Sequence, residues 1–168
     1  GVFAAPFLPQ FLPDPQRVMA QHDAISFTFA PRIFIWQNAA ERIAEKPVTG
    51  WGQNSSRFFS GDQDKVSLGV TTIEPIPLHP HNGILQWWLE LGAIGAAFGA
   101  AVLMALLAAI ARLPSKVDQR GAAATLFTTL FVASISYGIW QGWWMGIYWF
   151  AAIILVAIAE PAPAAAPV

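Results

Sequence analysis

Two histidines and an amide, His79, His81 and Asn82, stand where a polar, proline-rich segment of this 168-residue chain meets a long apolar run. An imidazole titrates near neutral pH, so it can accept a proton during a reaction or bind a metal ion. Ionisable groups at the mouth of an apolar helix are costly to keep there, which favours a functional site. A structural alternative stays open, in which His81 caps the helix and contacts water at an interface.

A metal site is a rival interpretation, because His79 and His81 are two residues apart. The chain has no cysteine, so a closed zinc site would also need His22 or carboxylates. Carboxylates that could serve include Asp62, Asp64 and Glu74. We therefore expect no metal. A Ser-His-Asp site is disfavoured as well, because the sequence has no G-x-S-x-G motif.

The helices that must position these groups follow from the distribution of charge. Hydrophobic residues make up 55% of the chain and charged residues 11%, and there are eight tryptophans, a composition unlike that of a soluble surface. Residues 84–111 hold one charge, Glu90, and residues 121–159 hold none. A membrane core of about 30 Å needs about 20 apolar residues as a helix.

The predicted fold class is an all-α membrane protein, a fragment of a polytopic helical bundle with about three transmembrane helices. The expected helices span about 84–111, 121–139 and 143–159, followed by a disordered tail at 161–168. Residues 1–83 form a partly helical loop region. The basic loop at 112–120 predicts a cytoplasmic location for that loop, which places His81 on the outer side.

Within the loop region, one amphipathic helix is expected near 32–46. Pro31 is suited to a helix start, and Pro47 disfavours helical geometry at Lys46. Arg32 would lie in line with the apolar stripe of this helix. It could extend its charged head to water while its stem packs on Trp36, or it could bind an anion.

Two patterns of residues with longer spacings resemble those of a known protein family. His81-Asn82, followed after nine residues by Gly92-x-x-Gly95, resembles the signature of the O-antigen ligase-like family of bacterial membrane glycosyltransferases. The upstream pattern, Arg32-x-x-x-Trp36, Pro47 and Gly50-Trp51-Gly52, is similar to the earlier part of that family's large periplasmic loop. The resemblance implies a multi-pass protein of the bacterial inner membrane with this loop in the periplasm. The chain starts at Gly1 without a signal peptide, so we expect it to be part of a longer protein.

The same resemblance implies a reaction. A glycan would pass from a polyprenyl-diphosphate carrier to an acceptor hydroxyl, with inversion at the anomeric carbon and without metal or other cofactor. His81 is the expected base and Arg32 the expected ligand of the diphosphate, with Arg57 as second choice. The remaining substrate-binding candidates are Asn82, Glu90 and His79, and Glu90 is also a candidate to hold the His81 tautomer.

The expected partners are the lipid-linked glycan donor, a glycan or lipid A-core acceptor, the bilayer and the remaining helices of the full-length protein. A net charge of about −1 and the lack of a basic aromatic cluster argue against nucleic acid. Three alternatives stay open: a polysaccharide polymerase, a protein O-oligosaccharyltransferase, and a non-enzymatic transporter or scaffold.

Overall fold

The protein is described from a computed structural model, which describes residues 2–21, 23–59, 65–68 and 71–159. It is mostly helical, in agreement with the predicted class. The α-helices are α1 Pro15–Met19, α2 Ala24–Glu45, α3 Gly83–Ala111, α4 Lys116–Ile135 and α5 Gly142–Ala159. Short 3-10 helices occupy Val2–Phe7, Pro9–Phe11 and Ser55–Phe58. The predicted disordered tail at 161–168 lies outside the described residues.

A two-stranded antiparallel sheet interrupts the loop region. Strand β1, Val66–Leu68, pairs with β2, Thr71–Ile73, and Val66 lies opposite Ile73. The loop region is therefore partly helical, with a small hairpin between α2 and α3.

Helix α2 corrects one prediction, because it begins eight residues before Arg32. The Asp23 side chain accepts the amide of Ser26 at 2.6 Å, and the Ser26 hydroxyl accepts the amide of Asp23 at 3.0 Å. This capping box satisfies two free donors at the helix start. Pro31 consequently lies inside the helix. The helix ends at Glu45, just before Lys46 and Pro47, as the sequence predicts.

Helix α3 is the part of the described chain that is long and apolar enough to cross a membrane, judged by length and composition. It is interrupted at Gly92, where φ is 60° and ψ is −159°. α3 packs against α2 and α4, and α4 packs against α5. A small core joins α2 to the first part of α3, and its buried members are Ala39, Ile43, Ile76, Leu85, Trp88, Leu89 and Ala96.

Candidate active site at the start of helix α3

The break at Gly92 is filled by the segment that follows α2. The amides of Ala93 and Ile94, freed by the break, donate to the carbonyls of Pro47 and Val48 at 2.8 and 3.2 Å. On the other side of the break, the carbonyls of Leu89 and Glu90 accept the amides of Trp51 and Gly52, both at 2.9 Å. Both new helix ends are thus satisfied by one loop, so the two glycine motifs of the sequence form a single joint.

Glycine is required on both sides of this joint. Gly50 has a φ of 65°, and Gly92 has a φ of 60°. A Cβ added at Gly50 would overlap the backbone of Glu90, and one added at Gly92 would overlap the carbonyl of Val48. Positive φ and the close approach of two backbones both exclude a side chain here.

Glu90, two residues before Gly92, is fully buried, with 0% of its surface exposed. Its carboxylate accepts four hydrogen bonds, from the amide of Asn54 (2.6 Å), the hydroxyl of Ser56 (2.6 Å), the side chain of Gln86 (3.0 Å) and the indole of Trp140. Four donors compensate for burying a carboxylate. The sequence analysis made Glu90 a candidate to hold the tautomer of His81, but neither histidine is among these partners. Glu90 holds the loop at 54–56 and the turn before α5 against α3.

Gln86 extends this network by one step. Its side-chain amide donates to Glu90, and its carbonyl oxygen accepts the backbone amide of Ile139 at 2.9 Å. The stripe of polar side chains formed by Gln86 and Glu90, four residues apart on α3, therefore points into protein. It connects three chain segments that lie far apart in sequence.

The two histidines, just before the start of α3, lie next to each other, with ring centroids 4.3 Å apart. His79 is buried and His81 is half-buried. The carbonyl of Pro80, between them, accepts the indole N–H of Trp36 at 2.9 Å, which ties the pair to α2. His81 has a φ of 51°, a left-handed conformation that side chains adopt rarely and that recurs at functional sites.

Asn82 explains why α3 starts where it does. Its side-chain oxygen accepts the amides of Ile84 at 3.1 Å and Leu85 at 3.0 Å, which is an N-cap. The sequence suggested that Asn82 binds a substrate or orients His81. The structure shows a capping role, which fixes the position of the residue directly after His81.

Both imidazoles are held in the neutral form. Burial, followed by the charges of His81 and Arg57, lowers the pKa of His79 to about 4. Burial, followed by the charge of Arg32, also lowers the pKa of His81 from its usual 6.5. A neutral imidazole at physiological pH can accept a proton.

Two arginines therefore lie near the histidine pair. Arg32, on α2, donates to the carbonyl of Ile135 at the end of α4 at 3.0 Å. Arg57, from the loop held by Glu90, lines a small cleft together with His79. The structure thus brings together His79, His81, Arg32 and Arg57.

In the described part of the chain, no three metal-ligating side chains lie together. Two candidate ligands of the metal alternative, Asp62 and Asp64, lie outside the described residues, as does His22.

Tyr137 is a site residue that the sequence did not reveal. Its ring centroid lies 6.1 Å from that of His79 and 6.2 Å from that of His81, and 53% of its surface is exposed. The contact with the histidines depends on the turn between α4 and α5, which Gln86 and Glu90 hold in place.

Comparison with known proteins matches residues 1–100 to the family described as O-Antigen ligase. The chain belongs to the O-antigen ligase family. A protein of Rickettsia conorii named "Putative polysaccharide ligase" is 33% identical over 149 residues, which cover 88% of the chain and 36% of that protein. A similarly named protein of Rickettsia prowazekii is 36% identical over 135 residues, which cover 79% of the chain and 33% of that protein.

The chain thus spans about a third of the length of the curated relatives it matches. No solved structure matches it. The family is membrane-embedded, and α3 provides a candidate span in this O-antigen ligase chain. The matched region, residues 1–100, includes both arginines, both histidines and the Gly92 joint.

Proposed function

We propose that this chain carries the reaction centre of a glycosyltransferase that moves a glycan from a polyprenyl diphosphate to an acceptor hydroxyl. The observation that carries the proposal is the pair of neutral histidines with an arginine near each of them. Family membership supports glycan chemistry, and the relatives' names supply the class of product, a polysaccharide.

The first step of the mechanism is deprotonation of the acceptor. A sugar hydroxyl is a weak nucleophile near neutral pH, so a base within hydrogen-bond reach must take its proton during attack. His81 is the base, because it is half-buried and its neutral form is favoured. The acceptor oxygen then forms a bond to the anomeric carbon, and the proton moves to the imidazole.

The second step is departure of the carrier. The bond between the anomeric carbon and the diphosphate oxygen breaks, and the electron pair leaves with the lipid diphosphate. Arg32 stabilises this growing negative charge, because a guanidinium can grip two phosphate oxygens with parallel hydrogen bonds. Displacement from the opposite face inverts the anomeric carbon. Cleavage of the bond between the glycan and the diphosphate supplies the energy, so neither nucleotide nor metal is needed.

The membrane arrangement is part of the proposal. α3 crosses the inner membrane, α4 and α5 form a hairpin that also crosses it, and His81 lies at the periplasmic surface. Large apolar side chains on these helices are exposed, among them Phe98 (65%), Phe127 (70%) and Trp149 (68%). Exposed apolar surface of this extent favours contact with lipid.

A transfer assay tests the proposal. The protein is expressed from its complete gene, purified in detergent and given a polyprenyl-diphosphate-linked glycan, with lipid A core, a polysaccharide or a peptide as acceptor. We expect transfer in EDTA and without ATP. Failure with all three acceptors, or a strict need for divalent metal, would contradict it. The acceptor that works separates a ligase from a polymerase or a protein-modifying enzyme.

A further inference from the structure

A small polar cleft lies beside the histidine pair, away from Arg32. It has a volume of about 40 Å³ and is bordered by Arg57, His79, Gln86, Gly138, Trp140 and Gln141. A water molecule needs roughly 10–15 Å³ of such space, so the cleft has room for a small polar group. The cleft therefore fits a hydroxyl or hydroxymethyl group.

Two polar atoms of the lining are buried and, within the described residues, have no hydrogen-bond partner. They are Nδ1 of His79 and Oε1 of Gln141. His79 itself is only 8% exposed. Buried polar atoms are nearly always paired in folded proteins, so a group from outside the chain is expected to complete these bonds.

The rest of the cleft wall is rigidly held. Gln86 bonds to Glu90 and to the amide of Ile139, and the indole of Trp140 bonds to Glu90. Gly138 packs so closely on His79 that an added Cβ would lie 3.0 Å from its ring. Because these groups already bond within the chain, the two unpartnered atoms are the ones left to bond a ligand.

The chemistry of the two atoms favours a hydroxyl over an anion. A hydroxyl both donates and accepts, so it can donate to Oε1 of Gln141 while it bonds to the neutral imidazole of His79. A phosphate oxygen only accepts, and it would face the amide oxygen without a proton between them. Arg57 at the border can donate to the same hydroxyl.

We propose that this cleft is an acceptor subsite that binds one hydroxyl or hydroxymethyl group of a sugar, next to the hydroxyl that His81 deprotonates. The assignment to the acceptor rests on the proposed function. His79 is in ring contact with His81, at 4.3 Å between centroids. Arg32, the proposed diphosphate ligand, is not part of the cleft lining in the described structure. We therefore assign the cleft to the acceptor, the substrate that His81 deprotonates.

Binding is measured without transfer, by saturation-transfer difference NMR on the complete protein. The probes are the methyl glycosides of glucose, galactose and mannose. Gln141→Leu removes the acceptor atom, whereas Gln141→Glu keeps an oxygen that can accept from a hydroxyl. Gln53→Leu is the matched control, because Gln53 is exposed and outside the cleft.

We expect at least one glycoside to bind the wild type and the Gln53→Leu control. Loss of a hydrogen-bonding partner in Gln141→Leu should weaken binding about tenfold or more. Gln141→Glu should retain most of it, and inorganic pyrophosphate should not displace the sugar. The subsite is disproved if no glycoside binds, if Gln141→Leu binds normally, or if pyrophosphate competes.

The two proposals fail separately. Glycoside binding that depends on Gln141, in a protein without transferase activity, would contradict the proposed function alone. Transfer by a wild type whose Gln141→Leu variant binds sugar normally would contradict the subsite alone.

Discussion

The amide of Ala93 donates to the carbonyl of Pro47 at 2.8 Å, immediately after the break that Gly92 makes in α3. This bond joins the loop after α2 to the interior of the apolar helix. α2 carries Arg32 and α3 starts beside His81, so the joint fixes the distance between the proposed phosphate ligand and the proposed base. The break in α3 therefore helps to position Arg32 and His81 relative to each other.

Gly92→Ala should disrupt the joint. The dihedral angles of Gly92 lie in a region that is close to glycine-only, and occupying it with alanine costs on the order of 1–3 kcal/mol before any overlap with Val48. Gly99→Ala is the control, because its Cβ would make ordinary contacts at 3.5 Å with Trp87. Thermal unfolding in detergent should show a large decrease for Gly92→Ala and little change for Gly99→Ala. Equal stability of the two variants would contradict the joint.

Glu90→Gln should destabilise the protein although it preserves size. A carboxylate accepts on both oxygens, whereas glutamine presents an N–H₂ group to two of the four donors. Leaving buried donors unpaired costs about 1–3 kcal/mol. Glu41→Gln, at an exposed position, is the matched control. Chemical unfolding that gives the same midpoint for both variants would show that the network contributes little.

The sequence predicted the apolar helix and the position of His79 and His81 at its start, because both depend on local pattern; the catalytic role of the histidines stays a prediction. The start of α2 was mispredicted because Pro31 outweighed the Asp23 and Ser26 capping box, although both signals are local. The partners of Glu90 could not be predicted, since Ser56 and Trp140 are 34 and 50 residues away in sequence. Spacing along one helix does not reveal which segments will cover its polar side chains.

His81→Ala should reduce transfer by about 10²- to 10⁴-fold, the usual loss for a general base. His79→Ala should cost much less, because His79 contacts the base and the cleft but does not take the proton. The measurement is initial transfer rate at matched expression, with folding checked by the unfolding midpoint. Near-normal transfer by His81→Ala would exclude the proposed mechanism.

The rate should also depend on pH in a defined direction. The reaction needs neutral His81, and the pKa of this group lies below 6.5. kcat/KM should therefore decrease toward acid with a midpoint below pH 6.5, as the imidazole becomes protonated. Arg32→Gln removes one cause of the lowered pKa, so the acid limb should move upward but stay below 6.5, since burial remains. An acid limb that does not move would show that Arg32 does not act on His81.

Membrane topology gives a further test, in a background without other cysteines. Gln53→Cys should react with an impermeant thiol reagent added to spheroplasts, and Val117→Cys should not. Both positions are exposed in the structure. Ser55 is less suitable for labelling, because its hydroxyl is buried. The physical reason is the basic segment at 112–120, which includes the start of α4, because positively charged segments beside a span favour the cytoplasmic side. Labelling of Val117→Cys alone would invert the topology and remove His81 from the periplasmic face.

The role of Arg32 is decided by the Arg32→Lys variant. Lysine keeps the charge but loses the planar fork that can bind two phosphate oxygens. If Arg32 binds the diphosphate, Arg32→Lys should fail almost as badly as Arg32→Ala. If the side chain only packs on Trp36 and extends its head to water, lysine does this equally well and should restore most activity.

The hydrogen bond from Arg32 to the carbonyl of Ile135 adds a third possibility, a tether between α2 and α4. A tether needs one donor, which lysine also provides, so it too predicts a functional Arg32→Lys. The measurement is transfer from a polyprenyl-diphosphate donor in EDTA, with KM for the donor and kcat determined separately for Arg32→Lys and Arg32→Ala. Loss of kcat in both variants, at an unchanged unfolding midpoint, supports stabilisation of the leaving diphosphate. Full activity of Arg32→Lys would transfer that role to Arg57, for which Arg57→Lys and Arg57→Ala are the corresponding pair.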